Sequence, residues 1–164
     1  MHQRDPRYAA RVIVRDATRE DIPTLVELAL EEAREAEGRE VPIATLQRGI
    51  ATPFDDPRLA RSWVLERDGQ IVGSIAITTE WSDWNGAPYW YIQNVFLRPA
   101  VRGSGALALL VDAVDREATR AGAAELRLLV HPLNARAMRA YHKLGFADLP
   151  YRVMSRKPAH TGET

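Results

Sequence analysis

Residues 95–111 press a strand, a turn with two glycines and the opening of an apolar helix into one short stretch. Val95, Phe96 and Leu97 are strand-favouring types. Beyond the turn, Leu107, Leu110, Val111, Val114, Ala118 and Ala121 recur at i, i+3, i+4 and i+7, which predicts one face of a helix. No Ser, Thr, Asp or Asn stands at the usual capping position, so the first helical N–H groups have no side-chain partner in the sequence. Gly103 and Gly105 allow close backbone approach, and an uncapped helix start carries partial positive charge. Such a turn suits a phosphate.

The remaining patterns build a mixed α/β chain around that stretch. Residues 11–15 carry Val12, Ile13 and Val14, a short strand. Thr18 precedes a helix with Glu20 and Asp21 in its first turn, the favoured charge there. Its apolar face is Ile22, Leu25, Val26, Leu28 and Ala29, and Gly38 lies past its expected end. Residues 42–51 predict a shorter helix with Ile43, Leu46 and Ile50 inward. Asp68-Gly69 between the runs 62–66 and 70–77 is a strong hairpin signal. A loop over 81–88 then leads to a third consecutive strand, 89–97. After the long helix, with Gly122 as its stop, residues 125–130 are apolar on both faces except at Arg127 and predict an inner strand. A helix capped by Asn134 ends at Leu144 and Gly145, and residues 151–155 predict a last strand. The expected order is β-α-α-β-β-β-α-β-α-β, an α/β fold of the α+β type. Its central sheet is mixed, mostly antiparallel and flanked by helices. Residues 1–10 read as a flexible N-terminal arm, 11–157 as a single domain and 158–164 as a flexible tail.

Composition removes several classes of chemistry. With no cysteine there is no disulfide, thiolate metal site or Cys nucleophile, and the four histidines (His2, His131, His142, His160) are too scattered to predict a metal site. The 22 basic and 22 acidic residues cancel, so no global charge favours nucleic acid. No apolar run reaches membrane-spanning length, and the polar start lacks the apolar region of a signal peptide. A cytoplasmic protein with neither nucleic-acid nor membrane partners is expected.

Asn134 and Tyr141 are seven apart, so they share one face of their helix about 10 Å apart along its axis, with Ala137 between them. Residues 95–111 and 134–146 together resemble the GNAT superfamily of acyl-CoA-dependent N-acetyltransferases. The cofactor motif, Gln/Arg-x-x-Gly-x-Gly/Ala after an aliphatic-x-Pro, is matched by Leu97-Arg98-Pro99 and Arg102-Gly103-Ser104-Gly105-Ala106-Leu107. Leu107 stands where the family usually has Gly or Ala; helical spacing sends its side chain to the core face. The second motif is matched by Asn134, Ala137, Tyr141, Gly145 and Phe146. Residues 13–18 and the Asp68-Gly69 hairpin also resemble the family, so the similarity covers roughly 12–155.

The resemblance implies the acyl-CoA N-acyltransferase fold and acetyl-CoA as co-substrate, without a metal. It implies that the backbone of Val95, Phe96 and Leu97 binds the pantetheine arm, with one N–H polarising the acyl carbonyl. The N–H groups of Gly103, Ser104, Gly105, Ala106, Leu107 and Ala108, following Arg102, would hold the pyrophosphate. Asn134 would bond the pantetheine or an ordered water, and Tyr141 would protonate the departing thiolate. The acceptor would be a primary amine of a small molecule, amino-acid-like compound or peptide, and a homodimer is expected by the same resemblance.

An amine must lose a proton to attack a thioester. Glu80 and Asp83 are the candidate bases, with water as the alternative. With Trp81 and Trp84 they form the candidate acceptor site, since carboxylates among aromatics hold cations. Trp90, Tyr89 and Tyr91 are expected in the same cluster. His131 reads as structural and His142 as a surface residue. Two other functions remain open. Gly103-x-Gly105-x-x-Ala108 also fits a dinucleotide fingerprint, although that motif turns directly out of its strand and here five residues intervene. A non-catalytic acyl-CoA-binding or interaction domain of the same fold is the stronger alternative.

Overall fold

In the computed structural model, residues 11–37 and 41–158 are described. The expected arm over 1–10, Gly38 and the tail beyond Pro158 lie outside them. The chain divides between Leu129 and Val130 into two compact units.

The first unit is built on a five-stranded sheet in the order β1-β2-β3-β4-β5, with β1 Val12–Asp16, β2 Arg61–Arg67, β3 Gln70–Ser82, β4 Ala87–Leu97 and β5 Glu125–Leu128. The first four strands pair antiparallel, and β5 joins β4 in parallel. Local chemistry accounts for the joints. Asp68 and Gly69 both have positive φ (51° and 79°), the two-residue reversal whose twist matches the flanking strands. A 3-10 turn, Arg19–Asp21, leads into α1 Ile22–Glu37, and the Asp21 carboxylate accepts the Thr18 N–H at 2.7 Å. Its partner helix α2 spans Ile43–Ala51. Helix α3, Ala106–Arg120, ends with Gly122 at φ 68° and bonds from Ala123 N–H to the Ala118 carbonyl and from Gly122 N–H to the Thr119 carbonyl. That double bond pattern needs a left-handed residue, which is why a glycine stands there.

Partners across an antiparallel ladder share a face. One face carries Arg61, Trp63, Ile75, Ile77, Ile92 and Trp90; it meets α3, where Arg61 pairs with Glu117 at 3.6 Å. The other carries Ser74, Ala76, Asn94 and Phe96 toward α1 and α2. Leu28, Val64, Leu65, Ile75, Ile77, Leu110 and Val114 are fully buried, each contributing about 1.5–3 kcal/mol.

The second unit holds α4, Ala135–Lys143. Among the described residues no helix is long and apolar enough to cross a membrane.

Several expectations change. Residues 151–158 carry no strand, and Tyr151, Val153 and Met154 are exposed; their alternation has no ladder to join. For the same reason β5 is an edge strand of the sheet, not an inner one, and it stops at Leu128. Strands β3 and β4 run further into the predicted loop, leaving only residues 83–86 as the connection. Ile43 is exposed, while Leu46 and Ile50 are half-buried as α2's inward residues. Ala121 is an exposed cap residue.

Candidate active site

Strand β4 is paired on both sides for only part of its length. Its ladder to β5 covers Tyr89 to Ile92, whereas its ladder to β3 continues to Leu97. Residues 93–97 therefore have no β5 partner along that edge. The split coincides with a bulge: Ala76 pairs with Asn94 and Ile77 with Ile92, so Gln93 is an extra residue. A bulge bends its strand and leaves an unpaired backbone group. Here it opens the edge of β4 next to Val95, Phe96 and Leu97.

That edge runs directly into the glycine turn. Pro99–Val101 make a 3-10 turn, and Ser104 Oγ donates to the Val101 carbonyl at 2.7 Å. Gly103 and Gly105 have φ of 78° and 89°, and a Cβ at either would have nothing within 4 Å. Gly105 is the N-cap of α3 and provides no side-chain bond, so the N–H groups at the start of the helix stay available to an anion. Leu107 is half-buried, and none of its atoms lies within 4 Å of where a Cβ on Gly103 or Gly105 would stand. Ala106 is buried and Ala108 half-buried.

Two arginines brace the turn against α1. Arg102 Nε donates to the Leu97 carbonyl at 2.8 Å, and its Nη2 reaches Glu35 at 2.6 Å. Arg98 Nη2 lies 3.5 Å from both Glu27 and Glu31, while its buried Nε has no hydrogen-bond partner among the described residues. Three acids at four-residue spacing on α1 thus hold two arginines at four-residue spacing. Open space at both glycines, a helix start without a cap and an unpaired strand edge together fit a phosphate-bearing, extended ligand.

On the α1 side of the sheet lies a cavity of about 180 Å³. Leu25, Ala29 and Glu32 of α1, Ile50 of α2, and Ser74, Asn94 and Phe96 of the sheet are among its lining residues. It borders the bulge, since Gln93 also lines it.

The hairpin end separates the other predicted residues. Glu80 pairs with Tyr89 and shares the face of Ala76 and Asn94, about 13 Å along β3 from Ala76. Trp81 pairs with Pro88 on the opposite face and is 67% exposed. Asp83 and Trp84 sit in the turn, where Asp83 accepts the Trp84 N–H at 3.0 Å and Trp84 is 94% exposed. Trp90 is buried against Trp63, 6.4 Å between centroids, with Arg61 over both rings. The expected cluster of Trp81, Trp84 and Trp90 with Tyr89 and Tyr91 is therefore not formed. Instead Arg127 lies 3.4 Å above the Tyr89 ring and bonds Tyr91 at 3.4 Å and Glu125 at 2.8 Å. Burial works against its charge, but the bonds to Tyr91 and Glu125 outweigh it and raise its pKa.

Within the second unit, Asn134 caps α4, its Oδ1 accepting the Ala137 N–H at 3.0 Å. That oxygen is committed to the cap, which leaves the amide Nδ2 for a ligand. Tyr141 is half-buried and meets Phe146 edge-on at 5.7 Å, beyond the reversal at Gly145. His131 Nδ1 accepts the Leu133 N–H at 3.2 Å, a structural role, and His142 is exposed beside Asp148.

The family model described as Acetyltransferase (GNAT) family matches residues 22–146. The chain belongs to the GNAT acetyltransferase family. This GNAT chain is 33% identical over 79 residues to thialysine N-epsilon-acetyltransferase of Bos taurus, across 48% of this chain and 46% of that one. The match thus spans about half the length of that curated relative. A possible acetyltransferase from Clostridium difficile 630 superposes with a TM-score of 0.84 at 25% identity, covering 91% of this chain and 99% of that one. An aminoglycoside N-acetyltransferase solved with CoA shares the fold, with a TM-score of 0.79 at 17% identity over 92% and 97% of the two chains.

Glu32, Ser74 and Asn94, which line the cavity, carry no motif in the sequence. A signal existed for Glu32: it lies at i+7 from Leu25 on the apolar stripe of α1, where a charge interrupts the pattern.

Proposed function

We propose that this chain is an N-acetyltransferase that moves the acetyl group of acetyl-CoA to the primary amine of a small molecule, amino-acid-like compound or peptide. The observation that carries this reading is the unpaired edge of β4 over 93–97 running into the two-glycine, uncapped start of α3. Such an edge offers backbone N–H and C=O groups to an extended amide-containing arm, as a neighbouring strand would. The helix start beyond it accepts a pyrophosphate.

Acetyl-CoA would supply an activated thioester at the open edge of β4. Backbone groups of Val95, Phe96 and Leu97 hold the arm and polarise the carbonyl. Arg102 stays braced to the Leu97 carbonyl, while Gly103, Ser104, Gly105, Ala106, Leu107 and Ala108 turn N–H groups toward the phosphates. The amine nitrogen forms its bond to the acetyl carbon, the carbon–sulfur bond breaks, and Tyr141 gives its proton to the sulfur. A phenol, with reference pKa near ~10, carries that proton at neutral pH. Asn134 contributes its free amide N–H₂ to the arm. Water takes the amine proton and relays it toward Glu80, which shares the acceptor-side face about 13 Å along β3 from Ala76. Asp83 and Trp84 lie at the hairpin turn beyond it, and Trp81 stands on the opposite face.

The second reading, a non-catalytic acyl-CoA-binding domain, uses the same loop. Thiol release with a panel of primary amines separates them. Amine-dependent release supports the transferase; tight acetyl-CoA binding with no release across the panel supports the binding domain.

A further inference from the structure

We infer that the cavity between α1, α2 and the central strands is the acceptor pocket, and that Glu32 selects an unbranched aliphatic amine carrying a second positive charge. This rests on the transferase reading above.

Three features of the cavity point that way. The first is size. At about 180 Å³ it falls below the roughly 300–1,000 Å³ of pockets for drug-sized ligands, so it suits a single alkyl chain and not linked rings. The second is the order of its wall. Leu25, Ala29 and Glu32 follow at i, i+4 and i+7 on one face of α1, so the lining passes from apolar to charged over about 10 Å. Ile50 and Phe96 extend the apolar part. An alkyl chain with a cationic end matches that gradient, because its methylenes leave water while its charge meets a carboxylate. The third is unused bonding capacity. Ser74 is only 7% exposed, and among the described residues its hydroxyl has no hydrogen-bond partner; the Asn94 amide, beside the bulge, has none either. Both residues line the cavity, and Asn94 is half-buried, so their hydroxyl and amide are accessible acceptor and donor sites for a ligand amine.

The arrangement gives the two ends of the acceptor different partners. Asn94 and Gln93 stand at the open strand edge, where acyl transfer is placed, and receive the reacting nitrogen. Glu32 lies on the opposing helix and holds the distal ammonium. Glu32 is thus a specificity residue; proton removal from the reacting nitrogen is left to water, relayed toward Glu80.

The test uses two series of linear acceptors of matched length, diamines and amino alcohols, assayed by thiol release on the full chain. Wild type is expected to show kcat/KM at least tenfold higher for diamines, the difference lying in KM. Glu32→Gln should erase that preference with acetyl-CoA affinity, measured by calorimetry, within about twofold of wild type. Glu32→Asp should restore part of it. Should Glu32→Gln fold poorly, Ala29→Leu, a helix-compatible change that fills the same wall, should raise KM for the longer diamines first. An equal preference in wild type and Glu32→Gln would overturn the inference and leave the transferase reading standing. Acetyl-CoA binding without release in either series would also overturn it. Loss of acetyl-CoA binding in wild type would remove both.

Discussion

Gly73 faces Leu97 across the β3–β4 ladder so closely that a Cβ on Gly73 would lie 2.5 Å from a Leu97 methyl and 2.8 Å from the Phe96 carbonyl oxygen. The methyl can rotate away, but the carbonyl belongs to the backbone proposed to receive the cofactor arm. Gly73→Ala should therefore cost about 1–3 kcal/mol, the usual range for overpacking, and weaken acetyl-CoA binding at the same time. Urea denaturation combined with calorimetry measures both. A variant with wild-type stability and affinity would show that the close approach has no role.

Arg15 and Asp21 form a two-pronged ion pair at 2.7 and 3.0 Å, and Arg15 also reaches Glu66 at 2.9 Å. The bonds from Arg15 hold the Asp21 carboxyl below its ordinary pKa against the effect of burial. A depressed folded-state pKa means this stabilisation is complete above the ordinary carboxylate value near ~3.9. It is lost as pH falls through the lower folded value. Asp21→Asn should cost about 1–3 kcal/mol at neutral pH, less than a fully buried pair because the Arg15 side chain is 34% exposed. It should also flatten the fall in Tm below pH 4. A mutant whose acid profile parallels wild type would refute the assignment.

Gly105 holds φ 89° with open space where a Cβ would point. Gly105→Val thus meets backbone strain of about 1–3 kcal/mol with no protein clash, and its side chain would occupy the space given to the phosphates. Acetyl-CoA affinity is expected to fall more than tenfold while the fold survives, as circular dichroism would report. Unchanged affinity would move the phosphate site elsewhere.

Tyr141→Phe keeps the edge-on contact with Phe146 and removes only the hydroxyl. If that hydroxyl protonates the thiolate, kcat should drop about 10²–10⁴-fold with acetyl-CoA affinity within threefold of wild type. An unchanged kcat would exclude Tyr141 as the acid.

What the sequence made legible is what short-range chemistry decides. The Asp68-Gly69 reversal, the Gly122 stop of α3 and the Asn134 cap each depend on a few neighbouring residues, and all three form as expected. The open glycine turn belongs with them. Features set by distant partners were not legible. The extra residue Gln93 switches the alternation of β4, so that Asn94 and Phe96 share a face with Tyr91 while Trp90 turns into the core. Before the bulge, plain alternation already sets Trp90 opposite Tyr89 and Tyr91, and with Trp81 and Trp84 exposed at the hairpin the expected aromatic cluster does not form. Residues 151–155 alternate like a strand, yet a strand needs a ladder, and none forms there. The close passage at Gly73 appears only once β4 is beside β3.

Calorimetric titration of acetyl-CoA into the full chain tests the central claim most directly. The account predicts one site per chain with a dissociation constant below the millimolar range, weakened at least tenfold by Gly105→Val. Absence of binding heat at millimolar acetyl-CoA, with the protein shown to be folded, would contradict it.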